Sequence, residues 1–446
     1  MRSDNPSASR ALSVALDAWT LVKTSPEEAF AKASELCALR TESSAHEALA
    51  WAALTCGRVE ACRENVAAAE MYLAEAIGRF VIIGSEYGRI IAESHLSITY
   101  STKSEHKRAL HYALKPWNSD VQFSDSDADL LHTITAYAYW ANDDYQAALL
   151  HHLKALEIVD RLGSSGRRAA VSSNMGLILL EAAEIELALM AFKESWRLVK
   201  SGNDPLAPIA LNAFVNLTVC YVLANEVEEA VRCASLLENW LKNKRAQSCW
   251  AAYRALCLTA LSASKFSEAD QWLSRTRAEV EARPTDHNTA FLHLTEASYL
   301  EATGQFAAAI AFAKKVLDAP IESISKYPHR LACETMARCY LAMGKSSQSR
   351  IWKNAAAKLM PPRFLSDIFS RQIRRDLSGA TNVCLTDTER ECLALSARGQ
   401  TSADIAQKLG IKPRTVNFHF SKVLRKLNAL NRQEAIAKAY SANLLT

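Results

Sequence analysis

The sequence predicts an all-α protein, in which an α-solenoid of about nine helical hairpins precedes a small C-terminal helical domain. Three observations predict this fold. An alanine recurs about every 40 residues through most of the chain, glycine and proline number only 13 and 11 among 446 residues, and basic residues concentrate near the C-terminus. Scarce glycine and proline argue against a strand-and-turn architecture. A regular repeat of about this period is typical of stacked helical units.

The repeated alanine marks one face of the second helix in each hairpin. A bulky residue precedes it by three positions in most copies, as Tyr145 precedes Ala148, and an apolar residue often follows it by four, as Phe192 follows Ala188. These spacings place the side chains on one helical face. We therefore interpret the series as core packing positions, where a small residue lets a neighbouring helix approach closely. The series is Ala29, Ala69, Ala109, Ala148, Ala188, Ala230, Ala269 and Ala309, with Ser349 completing it.

Short polar turns and prolines delimit the hairpins. Polar turns such as Asn142-Asp143-Asp144 and Thr303-Gly304-Gln305 precede the alanine-bearing helices, and another helical stretch precedes each turn. Prolines such as Pro116 and Pro284 fall between hairpins, where they interrupt no helix interior. The pattern predicts antiparallel helix pairs stacked into a solenoid over residues 1–360.

These repeat residues resemble the tetratricopeptide family. Asn174, Gly176, Ile185, Ala188 and Phe192 follow its pattern, although a period near 40 exceeds the usual 34. The resemblance is to longer-helix variants, such as the sensor domains of maltose-activator-like regulators. It implies a concave groove lined by the first helix of each hairpin.

Five side chains are candidates for an effector site in that groove. They are Tyr137, Trp140, Asn212, Arg254 and Phe291. Two interpretations remain open: an aromatic pocket for a small-molecule effector, or large side chains that fill the space between repeats. Arg254 is the hardest to explain by packing, because a guanidinium inside a groove favours an anionic partner.

Residues 385–446 break the repeat and predict four short helices. Thr386 and Glu389 form a capping-box pattern for the first helix, and Pro413 is suited to the first position of the third. Gly399 and Gly410 provide the turns, while the second helix begins at Thr401 or Ser402 and the fourth near Asn431-Arg432. Two short helices joined by a glycine turn, the second of them basic, predict a helix–turn–helix.

This segment closely resembles the LuxR/FixJ-type helix–turn–helix family of transcription regulators. The matching elements are Leu385-Thr386, Glu389-Arg390-Glu391, Gly399, Ile405-Ala406, Leu409-Gly410-Ile411, Arg414-Thr415-Val416, His419, Lys426-Leu427, Arg432 and Ala435-Ile436. The sequence of this segment is most similar to the quorum-sensing branch of the family. A helical array, however, replaces the acyl-homoserine-lactone-binding domain that is usual in that branch. Lys412 departs from the serine often found at that position.

The third C-terminal helix divides into two faces. Val416, Phe420, Val423 and Leu427 recur at helical spacing and should face the core. The resemblance implies base contacts in the major groove for Asn417, Phe418 and Ser421. Residues interpreted as phosphate anchors are Lys412, Arg414, Thr415, Lys422, Arg425, Lys426 and Arg432. His419 fits either a phosphate contact or packing.

Charge and composition constrain the partners and the compartment. Residues 361–446 hold 14 basic and 7 acidic side chains, whereas the preceding part holds 38 and 41, which indicates a polyanion partner for the C-terminal part alone. Eleven cysteines occur without a C-x-x-C pair, as is typical of reduced cytosolic thiols. The sequence offers no secretory signal and no run of about 18 apolar residues. We therefore expect a cytoplasmic protein with no membrane partner.

The sequence contains no motif that indicates catalysis or metal binding. It lacks G-x-S-x-G, H-E-x-x-H and G-x-G-x-x-G patterns, so we expect a protein that is not an enzyme and has no cofactor or metal. The neighbours His151 and His152, and the pair His106 and His111, lack further metal-ligating company. We expect these histidines on solvated helix faces.

These patterns together predict a DNA-binding transcription regulator. The domains are residues 1–360 as sensor or interaction domain, 361–384 as helical linker and 385–446 as DNA-binding domain. Operator DNA should be bound by a homodimer, because a single small DNA-binding domain buries too little surface for useful specificity. The solenoid should sense a small molecule or protein. The alternative is a ligand-independent scaffold that recruits a protein partner or RNA polymerase to DNA.

Overall fold

The structure is a computed structural model of the 446-residue chain. It describes residues 6–22, 25–39, 45–63, 65–200, 207–243, 249–321, 325–361, 367–377, 387–426, 429 and 431–441. Within these ranges the regular elements are helices, and no strand occurs. The predicted all-α class is confirmed.

Nine antiparallel hairpins form the first part of the described chain, as predicted. They are α1 Pro6–Leu21 with α2 Pro26–Leu39, α3 His46–Cys62 with α4 Val66–Ile82, α5 Glu86–Thr102 with α6 His106–Ala113, α7 Asp125–Ala141 with α8 Tyr145–Leu162, α9 Ser165–Glu181 with α10 Ile185–Lys200, α11 Ala207–Leu223 with α12 Val227–Asn243, α13 Trp250–Ser262 with α14 Phe266–Ala282, α15 Asp286–Ala302 with α16 Phe306–Leu317, and α17 Lys326–Ala342 with α18 Ser346–Leu359.

The repeat alanines lie where the two helices of a hairpin meet. All eight of them, from Ala29 to Ala309, have no exposed surface. Gly176 serves the same close approach from the first helix of its hairpin, since a Cβ atom there would lie 2.5 Å from the ring of Phe192. Small residues at these positions therefore set the distance between helices, as the repeat pattern predicts.

The hairpin turns place their middle residue in the left-handed backbone region. Asp143, Asn225 and Ser264 have φ values of 62°, 60° and 58°, and Gly304 has 77°. Such a residue ends one helix and reverses the chain within three positions. Three of these four turns accept a residue with a side chain, which explains how a chain with so few glycines forms this many hairpins.

The solenoid curves until its last hairpin contacts its middle. The ammonium of Lys326 lies 2.5 Å from a carboxylate oxygen of Asp143. Arg330 Nη1 donates a 2.9 Å hydrogen bond to the carbonyl of Glu181, 149 positions earlier in the chain. These contacts join α17 to the ends of α7 and α9.

The C-terminal part forms a second compact unit, with the division between Ser370 and Arg371. Helix α19 (Asp367–Leu377) spans this division, and α20 (Asp387–Ala397), α21 (Ser402–Leu409), α22 (Pro413–Lys426) and α23 (Arg432–Ser441) follow. Their core contains Cys392, Leu393, Ile405, Ala406, Val416, Phe420, Val423, Ala435 and Ala439. The boundaries predicted for the linker, residues 361–384, remain a prediction, and much of that segment lies outside the described residues.

None of the helices in the described ranges combines the length and the apolar character needed to cross a membrane.

Candidate functional site

The helix–turn–helix is built from α21 and α22. Thr401 caps α21 reciprocally with Asp404: the Thr401 hydroxyl accepts from the Asp404 amide, and the Asp404 carboxylate accepts from the Thr401 amide. The hydrogen bonds from Thr401 hold the pKa of Asp404 below its ordinary value. Gly410 ends α21 in the left-handed region with φ 65°, and Pro413 begins α22. The predicted starts of these two helices are confirmed, whereas the predicted capping residue Thr386 lies outside the described residues.

Helix α22 has the two faces that the sequence predicts. Val416, Phe420 and Val423 are buried, because they complete the core with α20, α21 and α23. The opposite face carries exposed side chains at Arg414, Asn417, Phe418 and Ser421, while Thr415, His419 and Lys422 are half-buried. Lys412, which is also exposed, immediately precedes the helix. Arg425 and Lys426 belong to α22, but their side chains, like the whole of Leu427, lie outside the described residues.

Asn417 belongs to a polar cluster that joins three helices. Its Oδ1 accepts from Arg432 Nη2 at 2.8 Å and from the Ser402 hydroxyl at 2.9 Å. The Arg432 guanidinium also lies over the Phe420 ring, 4.0 Å from its centroid. Arg432 therefore holds Asn417 in place as well as adding charge, and Ser402, which sequence reasoning missed, completes the cluster. Only the packing of α21, α22 and α23 against one another brings these positions together.

Phe418 and Lys422 form an exposed aromatic and cationic pair. The Phe418 side chain is 56% exposed, and the Lys422 ammonium lies 4.5 Å from its ring centroid. An exposed aromatic side chain can contact a base edge or methyl group, and the adjacent ammonium can contact phosphate. The pair lies on the same helix as the Asn417 cluster.

Two of the predicted groove residues, Tyr137 and Trp140, pair on α7. Their rings meet edge to face at 5.5 Å, and Trp140 Nε1 donates to the carboxylate of Glu181 at 2.8 Å. Burial raises the pKa of Glu181 to about 7, despite hydrogen bonds from Trp140 and Tyr145 and the nearby charge of Arg330, which favour its ionised form. Glu181 was not predicted, although a carboxylate at the end of an apolar helical run was a signal for it.

Two other predicted residues, Arg254 and Phe291, also contact each other. The Arg254 guanidinium lies over the Phe291 ring, 4.6 Å from its centroid. Phe291 lies 6.4 Å from the ring of Tyr327, which in turn lies 5.1 Å from the guanidinium of Arg330. These contacts connect the two predicted pairs through α17. Asn212 is exposed on α11, and no contact in the described part of the chain joins it to this series.

The expectation that His151 and His152 lie on a solvated face is wrong. His152 is only 2% exposed. His151 Nδ1 lies 2.9 Å from His132 Nδ1, and the His132 ring stacks on Trp117 at 4.1 Å. Burial lowers the pKa values of His132, His151 and His152 to about 3, 4 and 3. Helix α7 packs on this face of α8, and the sequence of α8 alone does not reveal that neighbour. In the described part of the chain, no three His, Cys, Asp or Glu side chains are placed to hold a metal ion.

The fold is therefore a tetratricopeptide-like solenoid followed in sequence by a helix–turn–helix domain. Residues 383–439 match the family model described as bacterial regulatory proteins, luxR family, and form a domain of that type. The transcriptional activator protein AhyR of Aeromonas hydrophila is 51% identical over 61 residues, which are 14% of this chain and 24% of that protein. The chain thus spans about a quarter of the length of the curated relatives that it matches first.

The solenoid is similar in fold to solved helical structures. A Rap protein complexed with competence and sporulation factor aligns with a TM-score of 0.60 and 12% identity, over 82% of this chain and 99% of that one. The apo form of the quorum sensor NprR from B. thuringiensis aligns with a TM-score of 0.53 and 14% identity, over 78% and 97%. At these identities the likeness concerns the fold alone.

Proposed function

We propose that the protein is a cytoplasmic, non-enzymatic transcription regulator that binds operator DNA through α22. The observation that carries this proposal is the exposed face of α22 in a LuxR-type domain. That face presents an amide, an aromatic ring and basic side chains beside one another. Asn417, Phe418 and Ser421 contact bases in this proposal, and the basic side chains contact phosphates.

The solenoid acts as the sensing part of this regulator. Its fold is shared with a Rap protein solved with competence and sporulation factor and with a quorum sensor, which supports an effector that binds the concave face. The effector shifts the protein between states that differ in operator binding or in contact with RNA polymerase. A homodimer provides two reading helices for a two-fold operator.

Selection of bound fragments from the organism's own genomic DNA tests the proposal. The full chain, at moderate ionic strength, should enrich a common sequence over random duplex, and a variant carrying Asn417→Ala and Phe418→Ala should lose the enrichment. Equal retention of all fragments by the unaltered protein in every condition would contradict operator binding.

A ligand-independent scaffold is the second candidate function. Met71, Val81 and Ile82 on α4 are 58%, 59% and 64% exposed, and exposed apolar side chains favour a protein partner. Two results together would favour the scaffold over the sensor. Operator binding and transcription would be unchanged by every effector, and Val81→Lys would abolish transcription.

A further inference from the structure

Arg254 lies among aromatic side chains contributed by three successive hairpins. It belongs to α13, Phe291 to α15 and Tyr327 to α17. His287 meets the Phe291 ring edge to face at 4.9 Å, and Trp250 lies 6.3 Å from the same ring. These helices are the first helices of their hairpins, which the tetratricopeptide resemblance places on the concave side of the solenoid.

The guanidinium of Arg254 has no counter-ion among the described residues. Its Nε atom is buried and makes no hydrogen bond, and burial lowers the pKa of Arg254. Other arginines of the solenoid are paired with carboxylates: Arg168 with Glu194, Arg277 with Glu296, and Arg338 with Glu301. The side chain as a whole is half-buried, and a charge partly withdrawn from water without an anionic partner is destabilising. The cation–π contact of Arg254 with Phe291 offsets only part of that cost.

The neighbouring groups leave one positive charge uncompensated. Arg330 is accounted for, since its Nε lies 3.6 Å from Glu334 and its Nη1 bonds the Glu181 carbonyl. Burial and Arg254 lower the pKa of His287, so this imidazole is neutral at pH 7. One carboxylate would balance the remaining charge, whereas a phosphate dianion would exceed it.

The cluster is also accessible to a ligand. His287 is exposed, yet surrounding protein desolvates it enough to lower its pKa. Because the ring of His287 also contacts Phe291, a ligand in solvent can reach the edge of the aromatic cluster at this position.

We propose that Arg254 is the anion-binding residue of the effector site and that the effector carries a single carboxylate beside an apolar group. The guanidinium holds the carboxylate by paired N–H donors, and Phe291 and Trp250 contact the apolar part. This assignment rests on the proposed function, because it specifies the effector that the solenoid senses.

The first test measures the melting temperature of the full chain without ligand. Arg254→Met replaces the unpaired guanidinium with a shorter, unbranched apolar side chain, and we expect the melting temperature to rise by about 2 °C. The matched control Arg277→Met breaks a paired arginine and should lower it. An Arg254→Met variant that melts below the unaltered protein would show that Arg254 serves packing, and would overturn the proposal.

The second test adds ligands at about 10 mM and constant ionic strength. Benzoate should raise the melting temperature of the unaltered protein, neutral benzamide should not, and Arg254→Met should lose the benzoate shift. Absence of a benzoate shift, or an equal shift in Arg254→Met, overturns the proposal. A larger shift with phenyl phosphate overturns the carboxylate assignment in favour of a phosphate ligand.

Binding of the unaltered protein and of the Arg254→Met variant to random duplex DNA is measured in parallel. The assay reports on the helix–turn–helix and separates the two hypotheses. Loss of DNA binding in both proteins would contradict the regulatory function, while the melting temperatures would still decide whether Arg254 holds an anion.

Discussion

Asn417 shows how one exposed side chain depends on two other helices. Its Oδ1 accepts hydrogen bonds from Ser402 and Arg432, so the amide is oriented before any DNA is bound. Preorganised groups lose less conformational entropy on binding. A bidentate contact with adenine uses both the oxygen and the nitrogen of the amide, and Arg432 must share or release that oxygen when the contact forms.

Substitution of Asn417 should relax sequence preference. We expect Asn417→Ala to weaken binding to the selected operator by about 1–3 kcal/mol and to equalise the bases at one position. Competition binding with operators altered base by base measures this.

Lys422→Ala is the matched control for a phosphate contact. We expect it to weaken all sequences similarly and to flatten the dependence of affinity on salt. Unchanged base preference in Asn417→Ala would contradict the face assigned to α22.

The buried histidines of α7 and α8 should make the fold sensitive to acid. Their folded-state pKa values are near 3 to 4, below the ordinary value near 6.5. As pH falls below about 6.5 the unfolded chain takes up protons that the folded chain does not, so the free energy of unfolding decreases. Each such proton contributes about 1.4 kcal/mol per pH unit.

The variant His152→Gln removes one of the imidazoles that take up a proton when the chain unfolds. Between pH 6 and 4.5 its free energy of unfolding, measured by denaturant titration, should fall less steeply than that of the unaltered protein. His111→Gln, at an exposed position, should leave the slope unchanged. Equal slopes in His152→Gln and the unaltered protein would contradict the burial of His152 in its neutral form.

At the scale of the element, the hairpin turn is the recurring unit of this chain. Ala183 occupies the left-handed position between α9 and α10 with φ 62°, a conformation that costs a residue with a Cβ about 1 kcal/mol. Glycine adopts it without that strain. The fold keeps alanine there because the packing of two helices outweighs the cost of one turn.

Ala183→Gly should therefore stabilise the protein by about 0.5–1 kcal/mol. The adjacent Ala182→Gly is the control, because Ala182 has φ −74° and is 9% exposed. Glycine there removes a buried methyl group and adds conformational freedom to the unfolded chain. Thermal unfolding should show opposite shifts for the two variants. Shifts in the same direction would contradict a strained turn.

At the scale of the whole molecule, the curvature of the solenoid brings α17 to α9. Arg330 is 4% exposed, and its hydrogen bond to the Glu181 carbonyl bridges 149 positions. Stability in repeat proteins comes mainly from neighbouring units, so a contact between distant repeats adds cooperativity that stacking alone does not provide.

Arg330→Met should destabilise the solenoid by about 1.5–3 kcal/mol, since it removes a charged donor from a buried carbonyl. Arg338→Met breaks a partly exposed ion pair with Glu301 on the adjacent hairpin and a hydrogen bond to the Thr335 hydroxyl, and it should cost less than about 1 kcal/mol. Tryptophan fluorescence in urea isolates this part, because all nine tryptophans lie at or before Trp352. An equal decrease in the free energy of unfolding in the two variants would argue that the contact between Arg330 and the Glu181 carbonyl adds no stability.

Residue spacing and residue type were enough to predict the repeat, the helix faces and the type of the C-terminal domain. Those features rest on spacing along a helix and on residues such as Gly410 and Pro413, whose backbone preferences act locally. Ala29 to Ala309 were predictable because close helix packing recurs at a fixed interval.

Contacts between side chains that are distant in the sequence follow from the packing of the assembled helices. Glu181, Tyr327 and Arg330 connect the predicted groove residues only because the stack of hairpins curves. That curvature is the sum of small rotations between successive repeats. The orientation of Asn417 by Arg432 and the burial of His152 have the same physical origin. A side chain's neighbours across a packing interface are fixed by the assembled helices, and local spacing carries no record of them.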